Sequence, residues 1–245
     1  MTDENKDTYH WHRKLEANLG SFAVLTTVVI LIGALVEIVP MFTVTAGPQQ
    51  LAGITPLTPL EQAGRDIYVR EGCYTCHSQM VRPTRAEQLR YGDWSRAGEY
   101  VYDHPFQLGS RRLGPDLQRV GGKYPDAWHY EHMRNPRSTS PGSVMPTYPW
   151  LYAQTYDPAD VAASVKALRK VGVPYSDADV AGVPAQLQKE SGQIVQQLAS
   201  QGIKANPDHE IIALIAYLQR LGVEGRAAIK AAPQPAPAPQ PASAP

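Results

Sequence analysis

Cysteine is scarce in this chain: among 245 residues there are two, Cys73 and Cys76. That excludes a disulfide framework, so the pair must be read as a local motif. Net charge is missing as well, because Lys plus Arg and Asp plus Glu each number 23. With no basic excess, nucleic acid is not expected as a partner. Runs of alternating apolar and polar residues are missing, so no strand-built core is expected. Lys and Arg are missing from residues 15–64, a gap that contains the longest apolar run.

That run covers residues 19–44. At about 1.5 Å per residue a helix of this length exceeds the roughly 30 Å core of a bilayer. One spanning helix is the expected form, because a helix satisfies its own backbone polar groups in lipid. A cleaved signal peptide is the alternative. It would have an apolar core of about 7–15 residues and a small-residue cleavage site, and fits less well. Lys6, Arg13 and Lys14 precede the run. The bias of Lys and Arg toward the cytoplasm then puts the N-terminus inside and the rest outside the cytoplasmic membrane, which in a Gram-negative bacterium is the periplasm. Glu37 is the one charge inside the span. It either snorkels or pairs at the interface, or it contacts a neighbouring membrane subunit. Pro40 should loosen or kink the end of the helix.

The expected organisation is a cytoplasmic N-terminus (1–18), a transmembrane helix (19–44), a linker (45–57), an all-α periplasmic domain (58–222) and a disordered Pro/Ala-rich tail (223–245). Thr58, Pro59 and Glu61 form a helix start with a cap, a first-turn proline and a capping-box acid. This helix should run to about Gly72. Asp126 opens a short helix that must stop near Asn135, before Pro136. Asp157-Pro158 opens one to about Val171, a polar helix is expected over 184–200, and Asn206-Pro207 opens the last. In that last helix Ile211, Ile212, Leu214, Ile215, Leu218 and Leu221 make a broad apolar face, and Gly222 ends it.

Cys73-Tyr74-Thr75-Cys76-His77 is the c-type haem attachment pattern. Two thiols three positions apart can meet the two vinyl groups of one haem, and the adjacent histidine lies under the iron as an axial ligand. A thioredoxin-like redox pair would need a β-α-β pattern. A zinc site would need a second ligand pair. Neither is present, so one covalent haem c is expected. For the sixth ligand, Met80 is too near His77, Met41 lies in the apolar run, and Met133 sits inside an expected helix. Met145, in the stiff stretch Pro141-Gly142-Ser143-Val144-Met145-Pro146, is the best candidate. His104, His129, His132 and His209 are the alternatives. A His/Met pair raises the haem potential relative to two histidines and leaves no open site, which favours electron transfer over haem enzymology. Leu113-Gly114-Pro115-Asp116-Leu117 is a second landmark, where a backbone carbonyl would suit the other ring nitrogen of an axial histidine.

The order of these features resembles class I cytochrome c, so the fold expected is one N-terminal transmembrane helix followed by a class I cytochrome c-like helical domain. By resemblance the carbonyl of Pro115 accepts from His77, and His77 and Met145 hold the iron. Longer stretches, G-R-D-I-Y-V-R-E-G-C-Y-T-C-H-S-Q-M-V-R-P (64–83), R-Y-G-D-W-S-R-A-G-E-Y-V-Y-D-H-P-F (90–106), G-S-R-R-L-G-P-D-L-Q-R-V-G-G (109–122), V-M-P-T-Y-P-W-L (144–151) and V-E-I-V-P (36–40), resemble the mono-haem subunit II of cbb3-type cytochrome c oxidase. Residues 176–205 look like a helical insertion relative to that family.

The resemblance implies a terminal oxidase that reduces oxygen and pumps protons. This chain would be its non-catalytic electron-transfer subunit in the inner membrane, relaying electrons from a di-haem cytochrome c subunit (subunit III) to haem b of the catalytic haem–copper subunit (subunit I). It also implies a calcium shared with the catalytic subunit, with Ser110 supplying an oxygen. Arg82, Arg85, Arg90, Arg111 and Arg112 either neutralise haem propionates and dock on that subunit or form solvated surface. Trp94, Tyr100, Tyr102 and Trp150 are expected as packing. Two other functions stay open: a free membrane-tethered mono-haem shuttle, and a haem enzyme or gas sensor with a labile sixth site.

Overall fold

The computed structural model describes residues 12–43 and 50–231, with side chains for 12–40 and 50–231. Expectations that fall on residues 1–11, 44–49 and 232–245, Lys6 among them, lie outside the described residues. The chain divides into two compact units, Met1–Gln49 and Gln50–Pro245. Among the described residues the secondary structure is helical, with one isolated bridge between Thr155 and His209.

In the first unit, Asn18 interrupts a helical turn and starts α1 (Leu19–Thr43), its side-chain oxygen accepting from the Ser21 backbone at 3.2 Å. The segment Leu19–Pro40 is long and apolar enough to cross a membrane, and none of its most apolar stretch is covered by the protein's own atoms. Pro40 lies inside α1, in its last turn. There its missing N–H costs one hydrogen bond and the helix continues to Thr43.

The second unit is built on α2 (Pro59–Arg70) and α8 (Glu210–Arg220). The start of α2 carries the expected box: Thr58 accepts from the Glu61 backbone and the Glu61 carboxylate accepts from the Thr58 backbone. α2 and α8 cross where both lack bulk. A Cβ on Gly64 would lie 1.9 Å from the Ala213 carbonyl oxygen and 2.8 Å from Tyr217 Cβ. Beside the crossing the rings of Tyr68 and Tyr217 meet at 5.4 Å. Ile211, Ile212, Leu214, Ile215 and Leu218 of α8 are all buried, each worth about 1.5–3 kcal/mol relative to exposure.

Four further helices close this core: α4 (Asp126–Arg134), α6 (Pro158–Lys170), α7 (Asp177–Ser200) and α9 (Val223–Ala231). Two short ones, α3 (Arg85–Tyr91) and α5 (Pro136–Thr139), lie on connecting loops.

Several expectations need correction. The helix expected from 184 begins at Asp177, because Ser176 and Asp179 form a capping box, and Pro184 sits inside it. The helix read as an insertion is part of the core: α7 buries Val183, Leu187 and Leu198 in the same cluster as α2 and α8. The last core helix begins at Glu210, not at Asn206-Pro207, which make a turn.

Of the linker expected over 45–57, residues 45–49 lie outside the described residues, and its later part is bound to the second unit. Ile54 is buried, and the backbone N–H and hydroxyl of Thr55 donate to Glu224 at 2.8 and 2.7 Å. The tail expected from 223 is helical to Ala231. Gly222, at φ +70, turns the chain, and Arg226 then donates to the carbonyls of Arg119 and Gly121 at 3.1 and 2.6 Å.

Candidate cofactor-attachment site

α2 stops at Arg70, and Gly72 takes the left-handed conformation at φ +69. A short 3₁₀ turn, Cys73–Thr75, follows. The backbone N–H groups of Cys76 and His77 both donate to the Cys73 carbonyl, at 3.2 and 3.0 Å. This tight turn places Cys73, Cys76 and His77 together at the C-terminal end of α2. Both thiols are free and half-buried. Burial, with the Glu71 carboxylate beside it, pushes the Cys73 thiol up to about 12. It is therefore a protonated thiol and not a ready thiolate.

A second segment is laced to the first. Gly114 N donates to the Cys76 carbonyl at 3.1 Å, and Leu117 N to the Ser78 carbonyl at 2.9 Å. This brings the Pro115 carbonyl to 2.8 Å from His77 Nδ1. The imidazole lies so close to Gly114 that a Cβ there would be 2.1 Å from His77 Cε1. Burial lowers the His77 pKa against the opposing pull of the Pro115 carbonyl and Asp116. A neutral ring that donates from Nδ1 keeps a lone pair on Nε2, the state a metal requires.

Asp116 organises this side, and sequence reasoning gave it no role beyond its place in the landmark. It is buried, and its carboxylate accepts from Ser78 Oγ at 2.7 Å, Met80 N at 2.8 Å and Gln118 N at 2.9 Å. Arg112 extends the network to Ser78 Oγ at 2.5 Å, to the Met80 carbonyl at 2.9 Å and to Glu87. Among the arginines singled out, then, Arg112 is structural. Arg82 pairs with Glu87, while Arg85, Arg90 and Arg111 are exposed.

On the other side, Met145 is half-buried against the core cluster. Its backbone N–H donates to Ser143 Oγ at 3.2 Å, and its loop is pinned to α4 by Tyr148 N and the Met133 carbonyl at 3.0 Å. Met133 is core and Met41 lies in α1. Of the alternative ligands, His104 is exposed and His209 flanks α8. His129 is buried edge-on to the Trp128 ring. His132 binds Thr139 Oγ1 through Nδ1 at 2.6 Å. Ser110 is exposed, and its carbonyl accepts from Arg82 at 3.4 Å. Among the described residues no group of three His, Cys, Asp or Glu gathers there or elsewhere. Tyr100 is buried, with its hydroxyl on the Gln79 carbonyl at 2.9 Å, and Trp150 bonds Glu71 through its ring N–H at 2.9 Å.

Two free thiols, a neutral imidazole held by a carbonyl and a glycine that leaves room for its ring fit a haem bound through thioethers. Together with the all-α core, they define the class as a cytochrome-type subunit with one haem site, on a chain whose N-terminal helix is long and apolar enough for a membrane. The chain belongs to the FixO family (cytochrome c oxidase, mono-heme subunit/FixO), whose model matches residues 12–224. This agrees with the resemblance to subunit II of the cbb3-type oxidase. The match runs through residues 176–205, so the helix read as an insertion lies within the matched span. No curated protein matches the chain.

Proposed function

We propose that this subunit relays single electrons from a di-haem cytochrome c subunit, through one covalent haem c, to haem b of the catalytic haem–copper subunit. In this reading Cys73 and Cys76 form the thioethers, and His77 and Met145 take the two axial positions. The haem, when bound, supplies an iron that changes charge by one, at a potential raised by His/Met ligation. The remaining work falls to this chain. The Pro115 carbonyl fixes the His77 tautomer and ring plane, Gly114 leaves space for the ring, and Asp116 holds both segments in register. The observation that carries the proposal is the 2.8 Å contact between His77 Nδ1 and the Pro115 carbonyl, which leaves Nε2 as a ligand beside two free thiols.

The chain itself does no oxygen chemistry in this reading, because both axial positions are filled from within it. In this reading the N-terminus faces the cytoplasm and the second unit the periplasm of a bacterial inner membrane, which the excess of Lys and Arg before the apolar run supports. Calcium at Ser110 would need further oxygen ligands from the catalytic subunit, since among the described residues no acidic cluster gathers around it. A freely swinging tethered shuttle is less well supported. Ile54 is buried and Thr55 is fastened to Glu224, so this end of the segment expected as a linker is bound to the second unit and not free to swing.

Purification of the full chain from native membranes in mild detergent tests the proposal. The expected outcome is co-purification with haem–copper subunits, together with mass spectrometry finding one porphyrin bonded to the Cys73–Cys76 peptide. A lone protein, or a peptide of unmodified mass, would reject it.

A further inference from the structure

The loop that carries Met145 runs into a short 3₁₀ turn, Pro149–Tyr152. Trp150, the fifth residue after Met145, sits in that turn, and Pro146 and Pro149 stiffen the chain between them. The next residue, Leu151, is fully buried in the core, which seats the turn. The indole N–H of Trp150 donates to one oxygen of the Glu71 carboxylate at 2.9 Å. Glu71 caps α2 and stands two residues before Cys73. This bond therefore crosses from the segment of the proposed distal ligand to the turn that carries the attachment cysteines and His77.

Glu71 is held on its other oxygen too. Arg70 donates to it from Nε at 3.0 Å and from Nη2 at 2.9 Å. The same guanidinium donates to both oxygens of Glu210, at 2.8 and 2.5 Å. Glu210 opens α8, and its backbone N–H donates to the Gln154 carbonyl at 3.0 Å. Gln154 N donates in turn to the Trp150 carbonyl at 2.8 Å. Trp150, Glu71, Arg70, Glu210 and Gln154 thus close a ring of hydrogen bonds. The ring joins the end of α2, the start of α8 and the turn beyond Met145.

We propose that Trp150 and Glu71 are positioning residues of the electron-transfer site, and that their hydrogen bond slows departure of the Met145 sulfur from the iron. This rests on the reading of Met145 as an axial ligand. An N–H on a carboxylate makes one of the stronger hydrogen bonds. Arg70 and Glu210 orient that carboxylate, so little ordering remains to be done when the indole meets it. Met145 itself is held by packing, so a tie five residues along a proline-stiffened chain limits how far its loop can swing. A sulfur that stays in place lets the electron arrive and leave with the ligand set unchanged.

The test uses the full haem-loaded chain in detergent. In the ferric protein the sulfur-to-iron absorption band reports Met145 on the iron. Saturating imidazole captures the site once the sulfur leaves, so the rate at which the band disappears reads that departure. Trp150→Phe keeps a flat ring and removes the N–H. Glu71→Ala removes the acceptor and leaves Arg70 its contact with Glu210.

Each variant is expected to speed loss of the band about fivefold to tenfold, the lower part of the range for a hydrogen bond to a charged group, because the indole is 39 % exposed. The double variant should be no faster than the faster single one, since both remove the same bond. An unchanged rate in Trp150→Phe overturns the proposal. So does a double variant whose acceleration is the product of the two single ones, because the indole and the carboxylate then act separately. If Trp150→Phe lacks the band from the outset while Glu71→Ala exchanges at the unsubstituted rate, the indole is packing alone and the proposal falls. Absence of the band from the unsubstituted protein rejects Met145 as the ligand, and the reading beneath the proposal fails before any variant is made.

Discussion

The two sides of the proposed iron site are built differently. On the imidazole side, His77 is fixed by a backbone carbonyl at 2.8 Å, by a glycine whose Cβ would strike the ring, and by a buried carboxylate that accepts from Ser78, Met80 and Gln118. On the thioether side, Met145 packs against the core cluster, its backbone donates one hydrogen bond to Ser143 Oγ, and its loop is pinned at its far end to Met133. The first side is organised by buried polar groups whose loss leaves partners unsatisfied. The second is organised by packing, which yields more gradually. The imidazole should therefore be the fixed ligand and the thioether the labile one.

The sharpest way to break this contrast is at Asp116. Asp116→Ala leaves the Ser78 hydroxyl, Met80 N and Gln118 N without their acceptor, and should cost roughly 3 kcal/mol or more of domain stability, measured by denaturant unfolding of the haem-loaded chain. Gly114→Ala comes next. Its methyl occupies the place of the His77 ring, so a loss of about 2–3 kcal/mol is expected, together with a disturbed low-spin spectrum. Met145→Leu should cost only about 1 kcal/mol. Yet it should abolish the sulfur-to-iron band, lower the midpoint and open the ferrous form to carbon monoxide. Equal stability losses for Gly114→Ala and Met145→Leu would erase the contrast.

The smallest effect concerns acid. The Glu87 pKa is lowered, by its hydrogen bond to Arg112 first. A carboxylate with a depressed folded pKa contributes stability that is present above its ordinary value and lost as pH falls through the folded one. Acidification through and below the carboxylate range should therefore loosen the segment at Arg112 while leaving the Met145 loop unchanged. Limited proteolysis against pH would show this, and Glu87→Gln should remove the dependence.

Local chemistry made much of this legible. The box at Thr58 and Glu61, the proline starts at Pro59 and Pro158, and the attachment pattern at Cys73–His77 all act within a few residues of themselves. The role of Pro115 came from family resemblance, since Gly-Pro alone is only a turn. What stayed hidden was non-local. The Asp116–Arg112–Glu87 network joins three segments, and no spacing rule announces it. The short α3 has no apolar stripe to mark it. α7 was misplaced because Pro184 looked like a start, while Ser176 and Asp179 already supplied one. Thr55 and Arg226 looked like linker and tail until the chain brought Glu224 to the first and the Arg119 carbonyl to the second.

The bare crossing at Gly64 has a mechanical consequence. Cys73 hangs from the far end of the same helix, at about 1.5 Å of rise per residue from that point. With backbone pressed on backbone, Gly64 acts as a fulcrum and the helix beyond it as a lever arm. A tilt of only about 5° there would swing the thiol by roughly 1 Å, given that rise. The placement of a sulfur at the rim of the domain is thus set by the absence of a side chain at its centre.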